Sequence, residues 1–277
     1  MLTRSRSIAG AILYTIRPSA SLGACLLVLA AYQPNQDEWQ RATLLVLCTF
    51  FGSAFCFIIN DIYDREKDLL NQKHRPIATG IIPIATAYTF CTVSALGFAI
   101  LACFFGLKVF LLSILFLAIV GLYSWLNVKS GLLANMIVAG IVAGTQWGVS
   151  IIKPDPFLTA TAAFLFLFTI ARELLLDWLD RKGDDQFGKR SIAISASALQ
   201  FKFALIILVI CASTMLLLLI LKMELSLICS LFLLTTVITT IGSYLTFWRT
   251  PTHATALLGV RLSHLPFACL IVALLLR

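Results

Sequence analysis

Charge is scarce in this sequence. Only 12% of its 277 residues are Asp, Glu, Lys or Arg, while 60% are hydrophobic. Mean hydropathy is +0.97, and a water-soluble domain of this length has no core large enough to hide so many long apolar runs. Cysteine spacing is also lacking: Cys25, Cys48, Cys56, Cys91, Cys103, Cys211, Cys229 and Cys269 all lie in apolar segments, with no CxxC pair. They read as small buried hydrophobes, which excludes a zinc site or a disulfide framework. No basic block exists either. The net charge of +8 is scattered through the loops, as membrane orientation produces and nucleic-acid binding does not. Nor is there a linker or a low-complexity tract, so residues 1–277 are read as a single domain.

What is present is apolar length. Stretches of spanning size fall near 13–32, 41–59, 83–105, 107–125, 131–152, 157–176, 201–221, 225–247 and 254–276, each close to the roughly 20 residues a bilayer crossing needs. The expected fold is therefore all-α: a multi-pass membrane bundle of about nine helices around a central cavity. The basic start MLTRSRSIAGAILYTIRPSASLG is interrupted by Arg17 and Pro18, so it reads as a cytosolic tail leading into the first span, not as a signal peptide. With the N-terminus cytosolic, that side holds twelve basic residues: Arg4, Arg6, Arg65, Lys67, Lys73, Arg75, Lys129, Arg181, Lys182, Lys189, Arg190 and Arg249. The opposite side holds five, Arg41, Lys108, Lys153, Lys222 and Arg277. This bias predicts the N-terminus inside and the C-terminus outside.

The scarce acids are not scattered. Nine of the thirteen carboxylates lie within 61–68 or 173–185, in the runs NDIYDREKD and DWLDRKGDD and the Glu173 before the second. Asp61, Asp64 and Asp68 are spaced i, i+3, i+7, inside a helical sector of roughly 60°. Asp177, Asp180 and Asp184 repeat that spacing, and Glu173 extends the second stripe by a turn. Both runs follow even-numbered spans and are expected to face one compartment. Like charges on one helical face repel, and two such faces need a cation. Carboxylates are hard ligands, and Mg²⁺ takes one or two from a protein while keeping waters and substrate phosphates. The pattern points to a phosphate-bearing substrate clamped through Mg²⁺; solvated loops alone do not account for two matched triplets.

Asn60-Asp61-x-x-Asp64-x-x-x-Asp68 resembles the first signature of the UbiA superfamily of intramembrane prenyltransferases, and Asp177-x-x-Asp180-x-x-x-Asp184 its second. RKGDDQFGKRS at 181–191, HRPIATG at 74–80 and LYSWLNVKSGLLAN at 122–135 are similar to the family's flanking pieces. The resemblance implies a Mg²⁺-dependent enzyme that moves a prenyl group from a polyprenyl diphosphate to an aromatic acceptor in the membrane. It implies metal ligation by Asn60, Asp61, Asp64 and Asp68 and by Asp177, Asp180 and Asp184, with Asp61, Asp64, Asp180 and Asp184 central to catalysis. Arg65, Arg75 and Lys129 are expected to meet the diphosphate. Members often carry a basic residue four positions after the tyrosine matching Tyr123, where this chain has Asn127. The two carboxylate sets are expected to converge on one cavity at the cytosolic boundary.

Tyr123, Arg172 and Glu173 are candidates for contact with the acceptor or for support of the acidic residues. An intramembrane charge normally faces a partner or a cavity; for Arg172 the neighbouring Glu173 is the first such partner. Arg17 invites the same reading, with snorkelling to the interface as its alternative. Arg261 and His264 are one turn apart in the last span. Three other functions use the same features: a terpene cyclase and a polyprenyl-phosphate sugar transferase on the same metal site, and a divalent-cation transporter. Transport sites favour the bilayer midplane on broken helices, whereas these carboxylates cluster at span ends.

Overall fold

A computed structural model describes residues 8–70, 74–125, 131–186, 188 and 190–277. Thirteen α-helices follow one another: α1 (Ile8–Thr15), α2 (Pro18–Tyr32), α3 (Trp39–Tyr63), α4 (Arg65–Leu70), α5 (Ile84–Cys103), α6 (Leu107–Trp125), α7 (Gly131–Ile152), α8 (Pro156–Gln186), α9 (Ile192–Ser195), α10 (Ala198–Lys222), α11 (Leu227–Arg249), α12 (His253–Leu262) and α13 (His264–Leu275). Eight spans among the described residues are long and apolar enough to cross a membrane, α12 and α13 together forming one. The protein is an integral, multi-pass, all-α membrane protein.

The expected first span is broken. Pro18 cannot continue α1, and at N1 it suits the start of α2. Arg17 sits at the break with φ 48°, and its carbonyl accepts the N–H groups of Ala20 and Ser21 at 3.0 and 3.1 Å. Only the 15 residues of α2 remain as a shorter apolar helix, about 22 Å long against a hydrocarbon core of about 30 Å. The last span also breaks, between Leu262 and His264.

The chain forms two compact units, residues 1–29 with 34–127, and residues 30–33 with 128–277. In the first, α3 and α5 pack through reciprocal glycine notches. A Cβ on Gly52 would lie 3.0 Å from the Phe98 ring, and one on Gly97 would lie 2.9 Å from the Phe51 ring. Small residues allow such close approach where lipid provides no hydrophobic drive. Phe98 then packs at a tilt against Phe116, ring centroids 5.3 Å apart, joining α6 to α5.

In the second unit α8 is the central helix, packed by α7, α10 and α12. It runs for 31 residues, about 46 Å, well past the apolar stretch that ends near residue 176. Trp178 explains the extension: its ring lies 4.9 Å from Phe201 and 5.3 Å from Phe247, anchoring the acidic end of α8 to α10 and α11. Residues 31–33 belong to this unit because Arg277 donates to the Ala31 carbonyl at 2.9 Å and Lys153 to the carbonyls of Tyr32 and Gln33.

Gly259 in α12 admits the carbonyl of Ser243. A Cβ there would meet that backbone oxygen at 2.7 Å and Leu175 Cδ1 at 2.8 Å. Backbone cannot yield as a flexible side chain can, so Gly259→Ala is expected to destabilise the second unit by about 1–3 kcal/mol. Thermal unfolding in detergent checks this; an unchanged midpoint would mean the helices part freely.

Candidate active site

The first acidic triplet lies almost wholly on helix. Asp64 is the C-cap of α3, yet the ladder continues: Asp64 N–H donates to the Asn60 carbonyl and Asp68 N–H to the Asp64 carbonyl, both at 2.8 Å. Asp61 and Asp68 are buried, and Asp64 between them is half-buried. The Asn60 amide donates to Asp64 Oδ2 at 2.9 Å, fixing that carboxylate one turn away. Asp61 Oδ1 accepts from Arg17 Nη2 at 2.9 Å and from Arg75 Nη1. The same Arg75 nitrogen lies 3.1 Å from Asp68 Oδ2.

HRPIATG explains how Arg75 reaches back. Thr79 N–H donates to the Arg75 carbonyl at 2.9 Å, and Ile82 N–H to the Pro76 carbonyl at 3.1 Å. Gly80 closes the turn at φ 76°, a conformation open to glycine. Buried Ile77 and Ile82 anchor the loop. They also line an apolar cavity of about 200 Å³ with Ile16, Phe50, Ala54 and Phe90. An apolar cavity of about 150 Å³ accepts benzene, so this one has room for roughly one isoprene unit and part of the next. Its wall residue Ile58 is one turn before Asp61 on α3.

The second triplet repeats the burial pattern on uninterrupted helix: Asp177 and Asp184 are buried and Asp180 is half-buried. Asn135 of α7, itself buried, donates from Nδ2 to Asp177 Oδ2 at 2.9 Å. The segment after the triplet is held close to the start of α7 by Gly131, whose N–H donates to the Arg190 carbonyl at 2.9 Å. A Cβ on Gly131 would sit 2.7 Å from Ser191 Cβ, so this approach needs glycine. One turn before Asp177, Arg172 pairs with Glu173 at 3.0 Å, as the sequence expected. Aromatic rings follow deeper along α8, where Phe168 meets Phe267 at 5.2 Å.

Of the remaining candidates, Arg65 is exposed and Tyr123 is half-buried near the end of α6. Lys129, like Asn127, lies outside the described residues. Two residues brought to the triplets were not among the expected site residues. Arg17 carried a visible signal, a charge beside proline in an apolar run. Asn135 carried a weaker one, an amide in an apolar span.

Among the described residues no three His, Cys, Asp or Glu side chains gather into a metal cage. The donors fit Mg²⁺ all the same. They are hard oxygens, and the guanidinium shared by Asp61 and Asp68 marks a point where both carboxylates stabilise positive charge. An ion that completes its shell with waters and phosphate oxygens needs one or two protein carboxylates, not a cage.

A multi-pass helical protein with two acidic triplets, each with an asparagine amide on one carboxylate, is thus defined by its own geometry. The chain belongs to the UbiA prenyltransferase family, whose sequence profile matches residues 21–271. It is 29% identical over 158 residues to the digeranylgeranylglyceryl phosphate synthase of Thermococcus kodakarensis, an alignment spanning 57% of each chain. Its fold matches a solved digeranylgeranylglyceryl phosphate synthase with TM-score 0.76 at 19% identity, over 97% of this chain and 99% of that one. It also matches a UbiA homologue from Archaeoglobus fulgidus bound to GPP and Mg²⁺, with TM-score 0.72 at 18% identity, over 95% of this chain and 99% of that one.

Proposed function

We propose that this protein transfers a prenyl group from a polyprenyl diphosphate to an acceptor within the membrane, releasing diphosphate, and that residues 1–277 serve this one activity. The carrying observation is the paired triplets with buried outer carboxylates in a chain of this family. Asn60, Asp61, Asp64 and Asp68, and Asp177, Asp180 and Asp184, would hold Mg²⁺ on one diphosphate. When bound, Mg²⁺ supplies neutralisation of the charge that develops on the departing diphosphate. Arg65, Arg75 and Lys129 would add hydrogen bonds to its oxygens, Arg75 from a position already fixed by the turn at 75–80. The allylic C–O bond breaks with its electron pair going to diphosphate. The acceptor then donates an electron pair to the allylic carbon and loses a proton. Apolar side chains such as Ile58, Ile77 and Phe90 would exclude water, which otherwise captures the cation.

The aromatic acceptor implied by the resemblance finds no support among the relatives. Their name describes a glyceryl phosphate carrying two geranylgeranyl chains, so we propose a lipid glyceryl phosphate hydroxyl as the acceptor. Its phosphate requires a cation. Arg172, with its side chain 25% exposed and one turn from Asp177, meets that requirement; Tyr123 and Glu173 remain candidates to support it. The positive-inside bias supports an active site and an N-terminus on the cytosolic side.

The test is the purified protein in nanodiscs with labelled geranylgeranyl diphosphate, Mg²⁺, and either geranylgeranylglyceryl phosphate or 4-hydroxybenzoate. Label is expected in the glyceryl phosphate lipid and its transfer is expected to stop with EDTA. Label in the benzoate restores the aromatic reading. A cyclised hydrocarbon formed without acceptor would identify a terpene cyclase, and turnover of a polyprenyl phosphate with a phosphorylated sugar would identify a sugar transferase. Metal flux into proteoliposomes without any prenyl compound would identify a transporter.

A further inference from the structure

We propose that Arg17 and Arg75 hold the first triplet in a cation-filled resting state, so that divalent metal enters only together with a diphosphate, and that Arg17 is the group that moves from carboxylate to diphosphate. The inference rests on the prenyl-transfer reading and assigns to Arg17 a positioning role that the acidic motifs themselves do not reveal.

Asp61 is 2% exposed, and its Oδ1 already carries two guanidinium groups. With Asp68 bound to the second of them, two carboxylates are balanced by two arginines. A divalent ion arriving at Asp61 must displace at least one guanidinium. The displaced group would face a dication across a poorly solvated gap, where like charges interact strongly. Metal alone therefore gains little. A diphosphate changes the balance, because its oxygens accept the planar fork of a displaced guanidinium while they complete the metal's shell.

Three observations single out Arg17 as the mobile partner. Arg75 is held by two carboxylates and by the closed turn, whereas Arg17 contacts Asp61 alone of the two. The Arg17 side chain is 35% exposed against 20% for Arg75. The Arg17 guanidinium carbon lies 4.6 Å from the Phe57 ring centroid, one turn before Asp61. That stacking does not depend on which anion the guanidinium meets, so Arg17 can exchange partners while keeping its rest.

The experiment measures Mn²⁺ binding to the full chain in nanodiscs by electron paramagnetic resonance, with and without inorganic pyrophosphate. Wild-type protein is expected to bind Mn²⁺ about tenfold more tightly when pyrophosphate is present, within the usual range of coupling between sites. Arg17→Gln is expected to move the two affinities in opposite directions: Mn²⁺ alone about tenfold tighter, and pyrophosphate with Mn²⁺ about tenfold weaker. The KM for prenyl diphosphate rises with it more than kcat falls, and Arg17→Lys lies between the two. A merely structural Arg17 would shift both affinities the same way or neither, which overturns the proposal. Should Arg17→Gln fail to fold, the wild type still decides: Mn²⁺ binding indifferent to pyrophosphate overturns the ordering. Prenyl transfer alongside such indifference would sink this inference and leave the prenyl-transfer reading standing. Coupling without any transfer would do the reverse.

Discussion

Replacing Asp64 or Asp180 by alanine is expected to lower kcat by at least about 10²–10³-fold, the scale lost with one preorganised electrostatic contact to developing charge, while the protein inserts and melts like wild type. Each is the middle carboxylate of its triplet and the half-buried one. The flanking pairs, Asp61 with Asp68 and Asp177 with Asp184, are buried. Loss of Asp64 costs the fold the hydrogen bond from Asn60, about 1 kcal/mol, and this is offset by relief of repulsion along the acidic face. Activity and stability therefore separate at these positions. The measurement is kcat beside the thermal midpoint. Wild-type turnover in either variant, at wild-type expression, would remove that triplet from the active site.

The second large effect falls on stability. Arg75→Ala leaves Asp61 and Asp68 buried without the cation they share. Breaking a buried pair from one side costs about 3–5 kcal/mol, and the low end applies because Arg17 remains on Asp61. A lowered midpoint is expected in metal-free buffer, with partial recovery on adding Mg²⁺ and pyrophosphate together. Adding Asp68→Asn to Arg75→Ala should restore most of the loss, because it removes the uncompensated charge instead of replacing the cation. If Arg75→Ala alone melts as wild type, the network contributes nothing to the fold and the turn at 75–80 has another purpose.

Much of this protein was legible in sequence because the relevant physics is local. Apolar runs of about 20 residues report the bilayer wherever they occur, and the i, i+3, i+7 spacing of both triplets needs only the helical period to place three acids on one face. Arg17 and Pro18 were visible as an interruption of the basic start, yet the expected span ran through them from 13 to 32, and the structure breaks the helix there. Hydropathy misplaced the end of α8, which continues through Asp184 because Trp178 packs on Phe201 and Phe247. The break at Ser263 carried a sign too, Pro266 three residues on with Arg261 and His264 beside it, which a span drawn by hydropathy over 254–276 passed over.

Tertiary structure alone decided which partners the acids take. Asp61 meets Arg17 from 44 residues away and Arg75 from 14, and Asp177 meets Asn135 from 42. No periodicity spans those separations. Arg65 and Arg75 looked alike as diphosphate ligands in sequence, yet only Arg75 is turned onto Asp61 and Asp68, by a loop whose buried isoleucines and left-handed Gly80 set its direction. The residue types that perform the chemistry are written locally, whereas the pairing of charges depends on which side chains folding buries together, since an unpaired charge cannot be buried without large cost.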